Sequence, residues 1–171
     1  MNTGHHADVN GLQLYYERHG EASPGRSPLV LIHGGFGATE TFDHLIPSLA
    51  ASRPVIAVDL QAHGRTADID RPMRFESLAD DVAALLRSPN VEQADVLGCS
   101  VGGGVALRCA IQFPPLVRKL IVISFPAAST GYFPEVVAQQ RQIRREAAEH
   151  LRSGPLFKLY ARLAGPGAPR G

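Results

Sequence analysis

Four short runs of apolar residues constrain the fold of this chain more than any other feature. The runs are continuous rather than alternating, which is typical of strands that are buried on both faces of a parallel sheet. Segments with helical spacing of apolar residues lie between them. This alternation predicts an α/β fold, a mostly parallel, doubly wound sheet with flanking helices. The runs are LVLI, PVIAV, ADVL and KLIVIS, at residues 29–32, 54–58, 94–97 and 119–124.

The remaining elements follow from turn signals and periodicity. An Asn10-Gly11 pair before a β-rich run predicts a hairpin at residues 9–19, and His5 and His6 fall in a floppy terminus before it. Pro47 lies inside the first predicted helix and would kink or shorten it. The predicted helices cover residues 39–51, 76–86, 100–113, 134–151 and 156–163.

Composition narrows the class of protein. The 171 residues suit one domain, and 44% hydrophobic with 19% charged residues is typical of a soluble globular protein. No apolar run approaches the roughly 20 residues that span a bilayer, and no signal peptide is evident, so no membrane association is expected. A net charge of +1 argues against nucleic-acid binding. The presence of only two cysteines, Cys99 and Cys109, favours a cytoplasmic protein. The sequence does not indicate an oligomeric state.

The segment LGCSVGGG, residues 97–104, carries the strongest chemical signal. Its core, Gly98-Cys99-Ser100-Val101-Gly102, matches G-x-S-x-G, and here the motif follows a predicted strand and opens a helix. In that context it predicts an exposed nucleophilic Ser100 at a sharp, strained turn. Gly98 and Gly102 would allow the close backbone approach, and the Val101 N–H would donate to a developing oxyanion.

A second glycine-rich segment, HGGFG at residues 33–37, follows the first buried strand. Ligands bind at the carboxyl ends of the strands in such sheets, so this loop should lie beside Ser100. We expect the Gly35 N–H to be the second oxyanion donor, with the Phe36 N–H as the alternative. No metal site and no cofactor site are predicted.

The stretches LVLIHGGFG, VIAVDLQAHGRT, ADVLGCSVGGGVALRCAIQFP and KLIVIS together resemble the α/β-hydrolase fold family, in particular its esterase and haloperoxidase-like serine hydrolases. The resemblance covers residues 9–124 and implies hydrolysis of a small-molecule ester or related acyl substrate. A serine nucleophile argues against the epoxide-hydrolase and haloalkane-dehalogenase branches, which the family associates with aspartate. The loop after Asp59 departs mildly from the family pattern at Ala62 and Thr66. The resemblance implies that Asp59 and His63 brace this loop.

The resemblance also implies a catalytic acid and a histidine after the serine in the chain. The candidates after Ser100 are Glu135, Glu146, Glu149 and His150, all on one charged helix. His150 is the remaining candidate base, but its i,i+4 spacing from Glu146 is typical of a solvated surface pair. We therefore expect an incomplete hydrolase core at residues 1–126, the start of a helical lid at 127–163 and a disordered tail at 164–171.

Two further expectations follow from this interpretation. A truncated chain would be weakly active or inactive. The distribution of acidic side chains agrees with truncation, since 13 lie in the first 100 residues and only 3 in the last 71. Residues 119–124 would form an exposed apolar edge that is prone to aggregate. The alternative function is a non-catalytic ligand- or partner-binding protein on the same scaffold. Its interaction face would be the basic helix with Arg141, Arg144, Arg145 and Arg152, which otherwise forms a solvated lid surface.

Overall fold

A six-stranded mixed sheet forms the centre of the protein. The computed structural model describes residues 4–21, 25–87, 91–126 and 128–141, together with 154, 155, 157, 158 and 162. The strand order is β1-β2-β4-β3-β5-β6, with β1 and β2 antiparallel to their neighbours and the other pairs parallel. The α/β class and the mostly parallel sheet are as predicted. The strands are Gly4–Val9, Leu12–His19, Leu29–Ile32, Val55–Val58, Ala94–Cys99 and Val117–Ile123.

The N-terminal hairpin of β1 and β2 is confirmed. Its turn residues Asn10 and Gly11 have φ of 50° and 79°, the pair of positive values that a tight two-residue hairpin needs. The prediction of a floppy terminus at His5 and His6 is wrong. Both residues lie in β1, where pairing with β2 places each imidazole against a tyrosine ring.

The helices cover both faces of the sheet. The larger apolar core lies beneath α2 (Phe75–Arg87) and α3 (Val101–Gln112). The opposite face carries a 3-10 helix, Thr39–Phe42, and a short helix α1, Ile46–Ala50. The single helix predicted over residues 39–51 is therefore wrong. Pro47 has no N–H to bond to the carbonyl four residues before it, and the helix restarts with this proline in its first turn.

The strand β6 borders the sheet within the described residues. Leu120, Ile121 and Ile123 are 36%, 44% and 45% exposed, whereas every residue of β3 is buried. The strand is attached to β5 by a parallel ladder and by Arg118, whose guanidinium donates to both carboxylate oxygens of Asp95 at 2.8 and 2.7 Å. The exposed apolar edge expected at residues 119–124 is therefore present in the described part of the chain.

Beyond β6, a second 3-10 helix spans Ser129–Gly131, and α4 spans Pro134–Arg141. These elements begin the segment predicted as a lid. The rest of the predicted lid helices, the tail at 164–171 and His150 lie outside the described residues, apart from isolated positions. In the part of the chain that the structure describes, no helix has the length and apolarity that crossing a bilayer would require.

Candidate active site

Ser100 occupies a sharp turn between β5 and α3. Its backbone has φ of 51° and ψ of −121°, a conformation that costs a non-glycine residue on the order of 1–3 kcal/mol and is therefore held by its surroundings. The Ser100 N–H donates to the Ile123 carbonyl of β6 at 2.8 Å, and its carbonyl accepts the Gly103 N–H at 2.8 Å. The residue is exposed, as the sequence predicts for the turn of a G-x-S-x-G segment.

Two glycines make this turn possible. A Cβ atom on Gly98 would lie 2.0 Å from the Gly102 carbonyl oxygen. One on Gly102 would lie 2.2 Å from the Ile32 oxygen and 2.3 Å from the His33 oxygen. Real Cβ atoms do not approach backbone this closely, so the predicted need for glycine at both positions agrees with the packing.

The next two glycines, Gly103 and Gly104, have their nearest neighbours among side chains rather than backbone. A Cβ on Gly103 would meet the Phe125 side chain at 2.9 Å, and one on Gly104 would meet the Phe75 ring at 2.6 Å. These two glycines admit an edge-to-face pair of aromatic rings, Phe75 and Phe125, with centroids 5.5 Å apart.

The HGGFG loop lies beside the turn, as predicted. A Cβ built on Gly34 would be 3.2 Å from Ser100 Cβ and 3.9 Å from Ser100 Oγ. One built on Gly35 would be 3.4 Å from Val101 Cγ2. Among the hydrogen bonds within the described residues, none is donated by the Gly35 or Val101 backbone N–H, and Phe36 follows with a positive φ of 60°. Two backbone donors therefore flank Ser100.

The imidazole of His33 is fully buried and bonded at both nitrogens. Its Nε2 accepts the Leu60 N–H at 3.1 Å, so the proton is on Nδ1, which donates to the Gly34 carbonyl at 2.7 Å. Burial lowers the pKa of His33 to about 3, which keeps the ring neutral. With both nitrogens engaged, His33 is not placed to take a proton from Ser100. This arrangement was not found from the sequence.

Asp59 braces the loop after β4, as predicted. One carboxylate oxygen accepts the Thr39 N–H at 2.7 Å and the other accepts the Arg65 N–H at 2.9 Å. Burial raises the pKa of Asp59 to about 6, although these donors favour the carboxylate. Thr66, one of the two positions at which the loop departs from the pattern described above, donates to the Asp59 carbonyl at 2.8 Å and accepts the Tyr15 N–H at 2.9 Å. Its hydroxyl therefore links the loop to β2.

His63 lies at the wall of a cavity beside Ser100. Its ring is 5.2 Å from that of His33, its Nδ1 is 2.8 Å from the Gln61 carbonyl, and burial lowers its pKa. The cavity has a volume of about 670 Å³. Gly35, Phe36 and Val101 line one side, and Met73, Phe75 and Leu78 line another. None of these last three was assigned to a site from the sequence, because Met73 and Phe75 lie outside the predicted elements and Leu78 lies in the helix predicted over residues 76–86. The apolar character of Met73 and Phe75 was the available signal.

The base and acid of a serine hydrolase are not assembled among the described residues near Ser100. Glu135 is exposed in the first turn of α4, and Glu146, Glu149 and His150 lie outside the described residues. Within that same described part, no cluster of three or more His, Cys, Asp or Glu side chains is arranged to hold a metal ion.

Known proteins resemble this chain over most of its length. The family model described as alpha/beta hydrolase fold matches residues 27–162. A pimeloyl-[acyl-carrier protein] methyl ester esterase of Neisseria meningitidis serogroup C is 43% identical over 112 residues, which are 64% of this chain and 42% of that protein. The uncharacterized hydrolase YugF of Bacillus subtilis strain 168 is 33% identical over 125 residues, 72% of this chain and 44% of that protein.

Solved structures agree with this assignment of the fold. The epoxide hydrolase CorEH superposes with a TM-score of 0.76 at 27% identity, covering 94% of this chain and 58% of that one. The matched part of the chain spans less than half the length of these two curated relatives, 44% of the hydrolase YugF and 42% of the esterase. The family match, the similar hydrolases and the strand order lead to one conclusion: this chain belongs to the α/β-hydrolase fold family.

Proposed function

We propose that the protein is a serine hydrolase in which Ser100 attacks the acyl carbon of an ester or related small-molecule acyl compound. One observation carries the proposal: an exposed serine in a strained turn opens α3, next to two backbone N–H groups that make no hydrogen bond among the described residues. Such donors stabilise negative charge that develops on a substrate oxygen. The Val101 N–H also lies at a helix N-terminus, where the macrodipole favours an anion.

The reaction would proceed through an acyl-enzyme. Ser100 Oγ forms a bond to the acyl carbon while its proton passes to a base, and the carbonyl oxygen becomes an oxyanion between the Gly35 and Val101 N–H groups. The carbon–oxygen bond to the leaving group then breaks, and the alcohol leaves with the proton from the base. Water attacks the acyl-enzyme in the same way, which releases the acid and restores the Ser100 hydroxyl. The described residues do not supply the base, so a histidine and an acid from outside them are required.

The cavity supports an apolar acyl or alcohol group as the part of the substrate that is bound. Met73, Phe75 and Leu78 offer apolar surface, and the volume of about 670 Å³ is in the range of small-molecule sites. The esterase and hydrolase relatives support the same reaction class. Superposition on an epoxide hydrolase does not alter the proposed nucleophile, because position 100 holds serine. Free thiols at Cys99 and Cys109 fit the proposed cytoplasmic setting.

The test is covalent labelling with a fluorophosphonate probe, which reacts with an activated serine. Because the described residues do not supply the base, we expect slow labelling of the wild-type chain and none of Ser100→Ala. Ser124→Ala is the matched control, because Ser124 is also exposed, also follows a strand and also has a positive φ, of 55°. Labelling that survives in Ser100→Ala would refute the assignment. A folded wild-type chain that is not labelled would favour the alternative, a binding protein that uses the same cavity without turnover.

A further inference from the structure

We propose that His33 is a positioning residue that orients the Gly34–Gly35 peptide so that its N–H faces the oxyanion of the Ser100 reaction. This inference rests on the proposed function. His33 itself would touch neither the substrate nor the reacting atoms. It would act through one backbone carbonyl, that of Gly34.

The argument begins with the peptide unit. The Gly34 carbonyl and the Gly35 N–H belong to the same planar trans peptide and point in opposite directions. Whatever fixes the carbonyl therefore fixes the N–H. Glycines on both sides leave this peptide with more rotational freedom than any other pair of residues would. A loop of this composition needs an external contact to keep one orientation.

Two donors hold the Gly34 carbonyl. The Nδ1–H of His33 donates to it at 2.7 Å, and the Gly37 N–H donates to it at 3.1 Å. The Gly35 N–H, at the other side of the same peptide, lies on the loop that approaches Ser100 and Val101. Donors on a carbonyl also polarise its peptide, which strengthens the N–H as a donor.

The tautomer of His33 is essential to this contact, and Leu60 sets it. The Leu60 N–H can only donate, so Nε2 must accept and the ring proton must lie on Nδ1. The imidazole thus joins the loop after β4 to the loop after β3. The ring itself is fully buried within the fold.

The two hydrogen bonds of His33 can be separated by substitution. In His33→Asn, the short amide reaches the position of Nδ1 and can donate to the Gly34 carbonyl, while the bond to Leu60 is lost. In His33→Gln, the longer amide reaches the position of Nε2 and can accept from Leu60, while the bond to Gly34 is lost. His33→Asn leaves the Leu60 N–H without its acceptor, whereas His33→Gln leaves the Gly34 carbonyl with the Gly37 N–H as its remaining donor. A purely structural role therefore predicts an effect of His33→Asn at least as large as that of His33→Gln, the opposite of the order that the positioning role predicts.

The experiment uses two readouts on the full chain. The first is the Gly35 amide resonance in ¹H–¹⁵N spectra, which reports the orientation of the peptide without any reaction. The second is the rate of fluorophosphonate labelling of Ser100. We expect His33→Gln to shift the Gly35 resonance and to slow labelling about 10- to 100-fold, since loss of a whole oxyanion donor costs roughly 100- to 1,000-fold. His33→Asn should keep the resonance near its wild-type position and label within about threefold of wild type.

The outcomes separate this inference from the proposed function. An unshifted Gly35 resonance in His33→Gln, or equal slowing by both variants, would overturn the positioning role. A selective shift in His33→Gln with an unlabelled wild-type chain would support the positioning role and count against Ser100 as an activated nucleophile. The ¹⁵N shifts of the His33 ring test the wild-type chain directly, and a proton on Nε2 instead of Nδ1 would overturn the inference whether or not the variants fold.

Discussion

Replacing Gly102 with alanine tests whether the turn at Ser100 depends on contact with β3. The added Cβ would lie 2.2 Å from the Ile32 oxygen and 2.3 Å from the His33 oxygen. Both atoms are backbone, so neither can move aside as the end of a flexible side chain can. To reach an ordinary contact distance, α3 and β3 would have to separate by about 1 Å, since Cβ contacts below 3.0 Å are essentially never found.

The magnitude follows from two opposing terms. Overpacking of this kind costs typically 1–3 kcal/mol, occasionally more. Alanine in place of glycine within a helix returns about 1 kcal/mol. Because the clash is with backbone on a buried strand, we take the upper part of the first range and expect Gly102→Ala to lose about 2 kcal/mol of unfolding free energy. A misplacement of about 1 Å should also slow labelling of Ser100, by up to roughly 100-fold.

Gly104→Ala is the matched control, two positions along the same helix. Its Cβ would meet outer ring atoms of Phe75 at 2.6 Å and of Phe125 at 2.8 Å, and these are side-chain ends that can move, unlike backbone. The helix-propensity gain of about 1 kcal/mol should then offset the contact, and the variant should unfold near wild type. Urea unfolding followed by circular dichroism measures both variants. A Gly102→Ala protein within about 0.5 kcal/mol of wild type would refute the steric reasoning, and so would a Gly104→Ala protein as unstable as Gly102→Ala.

Two other predictions concern acidity and the sheet edge. Burial lowers the pKa of His33 to about 3. The stabilisation that the neutral imidazole gives the fold is therefore complete above the pKa of the unfolded chain, 6.5, and is lost as the pH falls towards 3. The unfolding free energy of wild type should fall more steeply than that of His33→Asn, by up to about 1.4 kcal/mol per pH unit, and equal slopes in denaturant titrations would contradict this. Ile121→Lys should reduce aggregation of the chain in light scattering, whereas Ile111→Lys, on the exposed side of α3, should not. A wild-type chain that is a monodisperse monomer would argue against an aggregating edge.

The elements that the sequence predicted well are those whose signal is local. The segment LVLI became β3, Leu29–Ile32, without a shift of either boundary, because burial on both faces requires a continuous apolar run. Asn10-Gly11 defined the hairpin for a similar reason, since few residues adopt two successive positive φ angles. The helix over residues 39–51 failed because apolar spacing was given more weight than Pro47, which lacks the N–H of a continuous helix.

The candidate site, too, could be predicted from the sequence only where its signal is local. Ser100 and its flanking glycines carry a local steric signature, and the packing of Gly98 and Gly102 agrees with it. The role of His33 was not predictable, because it depends on which backbone groups of two separate loops face the ring. The cavity wall was missed for a related reason. Met73 and Phe75 are distant from Val101 in sequence, but all three line the same cavity, where the start of α2 packs against α3.

The turn at Ser100 is held from two sides that differ in exposure. On one side, Gly102 of α3 packs against the carbonyls of Ile32 and His33, which belong to the buried centre of the sheet. On the other side, the Ser100 N–H bonds to Ile123 at the exposed strand β6, which Arg118 fastens to β5. Strands with few buried contacts open at lower free energy than the core does. Disturbance of the edge should therefore reach Ser100 through the Ile123 carbonyl, while the contacts with β3 keep the glycine loop and the turn together.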